Sequence, residues 1–191
     1  MSSSTSAPPW YRNRFLWVAV ILLTVAATAV LLVRSAGSGA GGPTDLTGTL
    51  ERRLQVILEE ADPAAHQGHG DHVHQGAGEA PVVCGVRVYG FEPTTATGVE
   101  QVERVYGYHL CGIAEAKRPW DWAVKLVGPV IVELSATPPT IVVAESTAEY
   151  TFTERVRQLF PERYQEEALR EALGTEAITE LRRRYETAAG L

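Results

Sequence analysis

The chain has 191 residues, with 23 acidic against 17 basic ones and a formal net charge of −6. That length allows one ordinary domain plus appendages. The acidic balance excludes a nucleic-acid surface, which needs a basic face. No Asp or Glu precedes Asp45, so all 23 acids face only 14 bases beyond it (the 17 less Arg12, Arg14 and Arg34), a net of about −9.

Residues 1–14 read as a short polar tail, cytoplasmic by the argument that follows. The run from Phe15 to Val33 is 19 residues without a charge. At about 1.5 Å per residue it spans roughly 28 Å, close to the hydrocarbon thickness of a bilayer. A helix apolar all round has no face to show water, so 15–33 is expected to be a transmembrane anchor. A cleaved secretory signal is the alternative, with Ser38-Gly39-Ala40 as a small-residue cleavage site, although the run exceeds the usual signal core. Either way the rest is exported. Arg12 and Arg14 flank one side and Arg34 alone the other, which places the N-terminus in the cytoplasm and the C-terminal part outside. Arg outnumbers Lys by 15 to 2, the bias of a GC-rich, bacterial genome. The expected partners are the lipid bilayer, through 15–33, and another envelope protein; nucleic acid is not among them.

Residues 34–44 are rich in Gly and Ser and read as a flexible linker. Residues 45–62 follow as an amphipathic helix. Leu46, Leu50, Leu54, Ile57 and Leu58 form an apolar stripe on a helix from about Thr49 to Ala61, stopped at Asp62-Pro63. The stripe is expected to dock on the domain, with a short self-associating helix as the alternative.

Residues 63–80 form a His- and Gly-rich loop with almost nothing to bury. His66, His69, Asp71, His72 and His74 could hold Zn²⁺ or Cu²⁺. Their spacing matches no closed structural-site signature, and nothing nearby would fix the rings. A polar linker without cofactor is therefore preferred over a metal-binding tract, with a pH-responsive segment a third reading.

Residues 81–191 read as an α+β domain. In PVVCGVRVYGF, alternation puts Val82, Cys84, Val86 and Val88 on one face. In RVYGYHLCGIA it does so for Val105, Gly107, His109, Cys111 and Ile113. An antiparallel pair with Cys84 opposite Cys111 sets Val82 against Ile113 and Val88 against Gly107, within reach of a disulfide. Two cysteines in an exported domain favour that bond. Closing a loop of 27 residues contributes about 3.6 kcal/mol in the loop-entropy model. The competing reading makes Cys111 a nucleophile activated by His109, with no third group to orient them.

EPTTATGVEQVE reads as a long loop with one helical turn. Trp120 and Trp122 flank Asp121 in a turn. They lid the core, or, if exposed, form a binding surface. VKLVGPVIVELS and TIVVAES read as two more strands, with Val130, Val132 and Leu134 on one face and Ile131 and Glu133 on the other. Pro129 marks an edge or a strand start. Three helices end the chain. Thr151 to Glu154 fits a capping box, Pro161 opens the second helix before Gly174, and Thr175 caps the third. Ile178, Leu181 and Tyr185 point inward on that last helix, and Arg182, Arg183 and Arg184 suit its C-terminal dipole.

No nucleophile elbow, phosphate-binding glycine loop, zinc-protease motif, C-x-x-C or EF-hand loop is present. The expected architecture is α+β: an N-terminal transmembrane helix, then a small domain whose antiparallel sheet of about four strands is covered by helices. The expected function is a membrane-tethered extracytoplasmic binding or interaction module of the bacterial envelope. An envelope metal-binding protein is the first alternative, and an extracytoplasmic enzyme without a recognised motif the second.

Overall fold

A computed structural model of the chain describes residues 43–61 and 80–191. The run 15–33 and the candidate ligands His66, His69, Asp71, His72 and His74 lie outside them. Among the described residues no helix is long and apolar enough to cross a membrane.

Four strands form one antiparallel sheet in the order of the chain: β1 (Val82–Glu92), β2 (Arg104–Ile113), β3 (Lys125–Glu133) and β4 (Thr140–Val143). The register of the first pair is the one expected from setting the two cysteines opposite each other: Cys84 opposes Cys111, Val82 opposes Ile113 and Val88 opposes Gly107. The register then slips between Val88 and Gly90, a bulge at Tyr89. Gly107 lies opposite that irregularity, where a Cβ would sit 2.4 Å from the Arg87 carbonyl oxygen. Only glycine tolerates so close a backbone approach.

Helices cover both faces. Helix α1 (Pro43–Glu60) carries Leu50, Leu54 and Leu58, all fully buried, onto the face that holds Cys84, Val88, Val105, Cys111 and Val130. The apolar stripe is therefore a docking face. The helix starts earlier than Thr49, because a proline fits a first turn whose N–H groups have no intrahelical partner. The other face is covered by α2 (Phe152–Leu159), α3 (Glu162–Arg170) and α4 (Thr175–Ala189). Val156, Phe160 and Ala168 pack on Tyr106 and Ile131, while Leu181, Tyr185 and Ala189 pack on Val83 and Ala114. The expected capping box is present, with Thr151 and Glu154 exchanging side chain to backbone hydrogen bonds. Helix α3 ends at Arg170, short of Gly174, and Gly174 rather than Thr175 occupies the cap position of α4.

The outer edge of β1 is capped by charged side chains. Glu59 of α1 accepts from the Cys84 N–H at 2.8 Å, and Glu51, two turns earlier, accepts from the Val88 N–H at 3.1 Å. Arg184 of α4 donates to the Cys84 carbonyl at 2.9 Å and pairs with Glu59 at 2.6 Å. An unpaired strand edge is an invitation to pair with another chain; here two helices close it. This corrects the dipole reading of the arginine triplet. No basic residue lies in the last turn of α4, and Arg184 instead ties α4 to α1 and β1. Ile178, expected inward, is substantially exposed.

Four phenols are held above the ordinary value near 10 chiefly by burial: Tyr89, Tyr106, Tyr108 and Tyr185. Three also donate, Tyr89 to the Glu171 carbonyl, Tyr106 to the Glu92 carboxylate and Tyr185 to the Arg118 carbonyl. In the unfolded chain these groups ionise near pH 10, below their folded values. Above that pH the unfolded state binds fewer protons, so the free energy of unfolding falls as pH rises. Urea midpoints measured from pH 8 to 11.5 should stay level to about pH 9 and then drop. A level profile through pH 11 would contradict the burial of these rings.

Candidate functional site

Cys84 and Cys111 are joined in a disulfide between directly opposed residues with Cα atoms 4.0 Å apart. Both outward backbone groups of Cys84 go to Glu59 and Arg184. The pair is therefore of the non-hydrogen-bonded type, in which α-carbons approach most closely. Both residues are fully buried beneath α1. Cys111 is thus no thiolate nucleophile. His109 shares its face of the strand, is fully buried, and directs Nδ1 to the Gly128 carbonyl at 3.0 Å. A carbonyl only accepts, so Nδ1 carries the proton.

The tryptophans divide. Trp120 is 7% exposed and meets the Tyr185 ring edge-on, with centroids 5.1 Å apart, while Trp122 is 79% exposed. One ring belongs to the core and the other stands alone, so they do not make a joint surface.

One concave feature among the described residues was not read from the sequence. It is an open groove of about 500 Å³ on the sheet face that carries α2 to α4. Its floor is Tyr108 and Pro129 with the half-exposed Val127; Phe152 and Leu169 add apolar walls. The remaining wall is the turn after α3, and side chains from β1 fix it. Arg87 pairs with the Glu171 carboxylate at 2.6 Å and donates to the Ala172 carbonyl at 3.2 Å, and the Tyr89 hydroxyl donates to the Glu171 carbonyl at 2.8 Å. Glu145 and Ser146 also line the groove. Burial raises the proton affinity of the Glu145 carboxyl.

The groove exists because β4 is short. Its pairing with β3 runs only from Glu133–Thr140 to Val130–Val143, so Lys125 to Pro129 extend past it. The last bridging bond goes from the Ala144 N–H to the Pro129 carbonyl at 2.9 Å. Gly128 has φ 153°, which side chains of L residues rarely adopt, and a Cβ there would lie 3.3 Å from Val143. Beyond it, residues 144–146 diverge from β3 and leave a notch.

Another polar cluster belongs to the scaffold. Arg104 pairs with Glu133 and Glu92, and Arg163 of α3 reaches Glu92 at 2.7 Å, which fastens α3 to the sheet. Among the described residues no group of three or more His, Cys, Asp or Glu side chains is placed to hold a metal ion. The groove lining offers Tyr108, Glu145 and Ser146 as polar groups beside its apolar residues. No protein-family model, no curated protein and no solved structure matches the chain.

Proposed function

We propose that the chain is a membrane-tethered interaction module of the bacterial cell envelope, with its folded part on the extracytoplasmic side and its partner held in the groove beside Val127. The groove carries the reading. An apolar floor, a wall pinned by Arg87 and Tyr89, and a few polar groups are the usual makings of a binding site. The compartment is supported by the buried disulfide, since such bonds persist where thiols are not kept reduced. The charge-free run of residues 15–33 supports the tether.

The test of compartment is made in the native cell. Intact cells are treated with an impermeant protease, and thiols are alkylated with maleimide as the protein is denatured, because both cysteines are fully buried in the fold. The folded part should be digested from outside, and Cys84 and Cys111 should remain unlabelled. Digestion only after lysis, together with two labelled thiols, would reverse the topology.

A further inference from the structure

One side of the groove is an unpaired strand edge. We propose that this edge, at Lys125 and Val127 of β3, takes up a short, uncharged, apolar strand of another protein by strand addition. The inference rests on the interaction-module reading and names its partner class.

Backbone direction alternates along β3. The Ile113 N–H bonds to the Val124 carbonyl, so even-numbered residues turn their backbone groups to β2. Odd-numbered ones turn away, as the Pro129 carbonyl does toward the Ala144 N–H. Lys125 and Val127 therefore each point an N–H and a C=O into the lane that β4 has already left. Among the described residues no backbone partner meets these groups. An extended backbone complements them, because it repeats a donor and an acceptor at the same spacing. The lane is closed at one end, where Ala144 holds Pro129. A second copy that paired its Val127 with Lys125 would bring its own Ala123 opposite Pro129, the place Ala144 already fills. The fitting occupant is a short segment that ends or turns at the notch.

The side chains beside the edge set its polarity. Among the few large apolar side chains that stay substantially exposed, Val124, Val127 and Phe152 flank this one edge. Residues of an added strand opposite Lys125 and Val127 would enter the groove over Val127, Phe152 and Leu169, and the one between them would lie on the other face beside Val124. The charged groups nearby are already engaged. Glu171 is paired with Arg87 at 2.6 Å and Arg170 with Glu166 at 3.1 Å. Lys125 turns its Nζ to the Trp120 carbonyl at 2.6 Å, and Glu145 is not free either. A charged strand would give up water here without gaining a counter-charge, whereas an apolar one covers exposed apolar surface.

The probe is a fluorescent, end-blocked pentapeptide of alternating Val and Thr, with Val first and last. It is titrated into the full-length chain in detergent micelles and followed by anisotropy, with empty micelles as the blank. Three relatives serve as controls: one with Lys in place of Val, one with Glu in place of Val, and one N-methylated on the valines that would pair. Val127→Pro removes only an outward N–H, so no ladder bond of β3 is lost; its thermal unfolding should match that of the parent. The Val-Thr peptide should bind, and Val127→Pro, N-methylation and either charge exchange should each weaken it at least about tenfold. Val127→Thr keeps the backbone donor and should bind within about threefold. Equal binding by a charged or N-methylated peptide, or by Val127→Pro, would overturn the proposal, as would no binding. So would a dimer in sedimentation equilibrium that Val127→Pro dissolves, since that assigns the edge to a second copy. Failure here with an exported, disulfide-bonded chain refutes the groove's occupant alone. An intracellular, thiol-labelled chain refutes the compartment and leaves the peptide result standing.

Discussion

Replacing both Cys84 and Cys111 with alanine is expected to lower the free energy of unfolding by about 2 to 5 kcal/mol, the usual range for a native bridge in a small exported domain. The bond joins neighbours on adjacent strands 27 residues apart, which in the loop-entropy model amounts to about 3.6 kcal/mol. Packing adds to that figure. Both residues are fully buried under Leu54 and Leu58 of α1, and two lost sulfurs leave space that a close-packed interior fills only in part. Equilibrium urea unfolding of the oxidised parent, the reduced parent and the double variant separates the contributions. Reduction removes the tie and keeps the volume, while the double variant removes both, so the variant should be the least stable. A double variant within about 0.5 kcal/mol of the parent, the margin of an ordinary surface substitution, would mean that α1 and the sheet hold without the bond.

Truncating Tyr185 should be as damaging. The ring is fully buried, with Trp120 against it edge-on and Gly112 beneath it. A Cβ on Gly112 would come within 2.7 Å of Trp120 and 3.0 Å of Tyr185, so the two rings fill the space a side chain would take. Tyr185→Ala is expected to cost about 3 to 5 kcal/mol, as for other large aromatic truncations. Tyr185→Phe keeps the ring and leaves the Arg118 carbonyl, 3.0 Å from the hydroxyl, without its donor; about 1 kcal/mol is expected. The ratio of the two losses, read from urea unfolding, checks the assignment. Equal losses would mean that the hydroxyl, not the ring, does most of the holding.

The sequence was readable where a local pattern forces a choice. Val82, Cys84, Val86 and Val88 alternate, and a slip of one residue would turn them all to the wrong face, so alternation fixed the faces, and setting the two cysteines opposite each other fixed the register. Thr151 and Glu154 stand at capping-box spacing, and the box is there. Features that depend on distant partners left no local trace. TIVVAES looks like seven residues of strand, yet pairing stops at Val143, because Gly128 and Pro129 on the neighbouring strand end the ladder. Nothing within TIVVAES records that. The groove beside Val127 follows from this mismatch and was invisible for the same reason. Arg184 sits in a run of three arginines, and only the fold distinguishes the one that reaches Cys84. Ile178 has helical spacing with Leu181 and Tyr185 but falls near the free end of α4, where no element covers it.

The cap on β1 also has a history in time. Its two halves come from opposite ends of the folded part: Glu59 precedes Cys84 by 25 positions, Arg184 follows it by 100, and the pair itself spans 125. A chain made from its N-terminus at about 5 to 20 residues per second reaches Arg184 roughly 5 to 20 s after Cys84. Cys111 arrives much sooner, so the bridge between β1 and β2 can close while the outer rim of β1 still awaits its last partner. During that interval the hairpin is joined internally but sticky on one side, able to recruit a strand from a neighbouring nascent chain. The final helix therefore completes the cap, and a polypeptide stopped short of it would keep its disulfide and the Glu51 and Glu59 contacts but leave the Cys84 carbonyl open to a neighbouring strand.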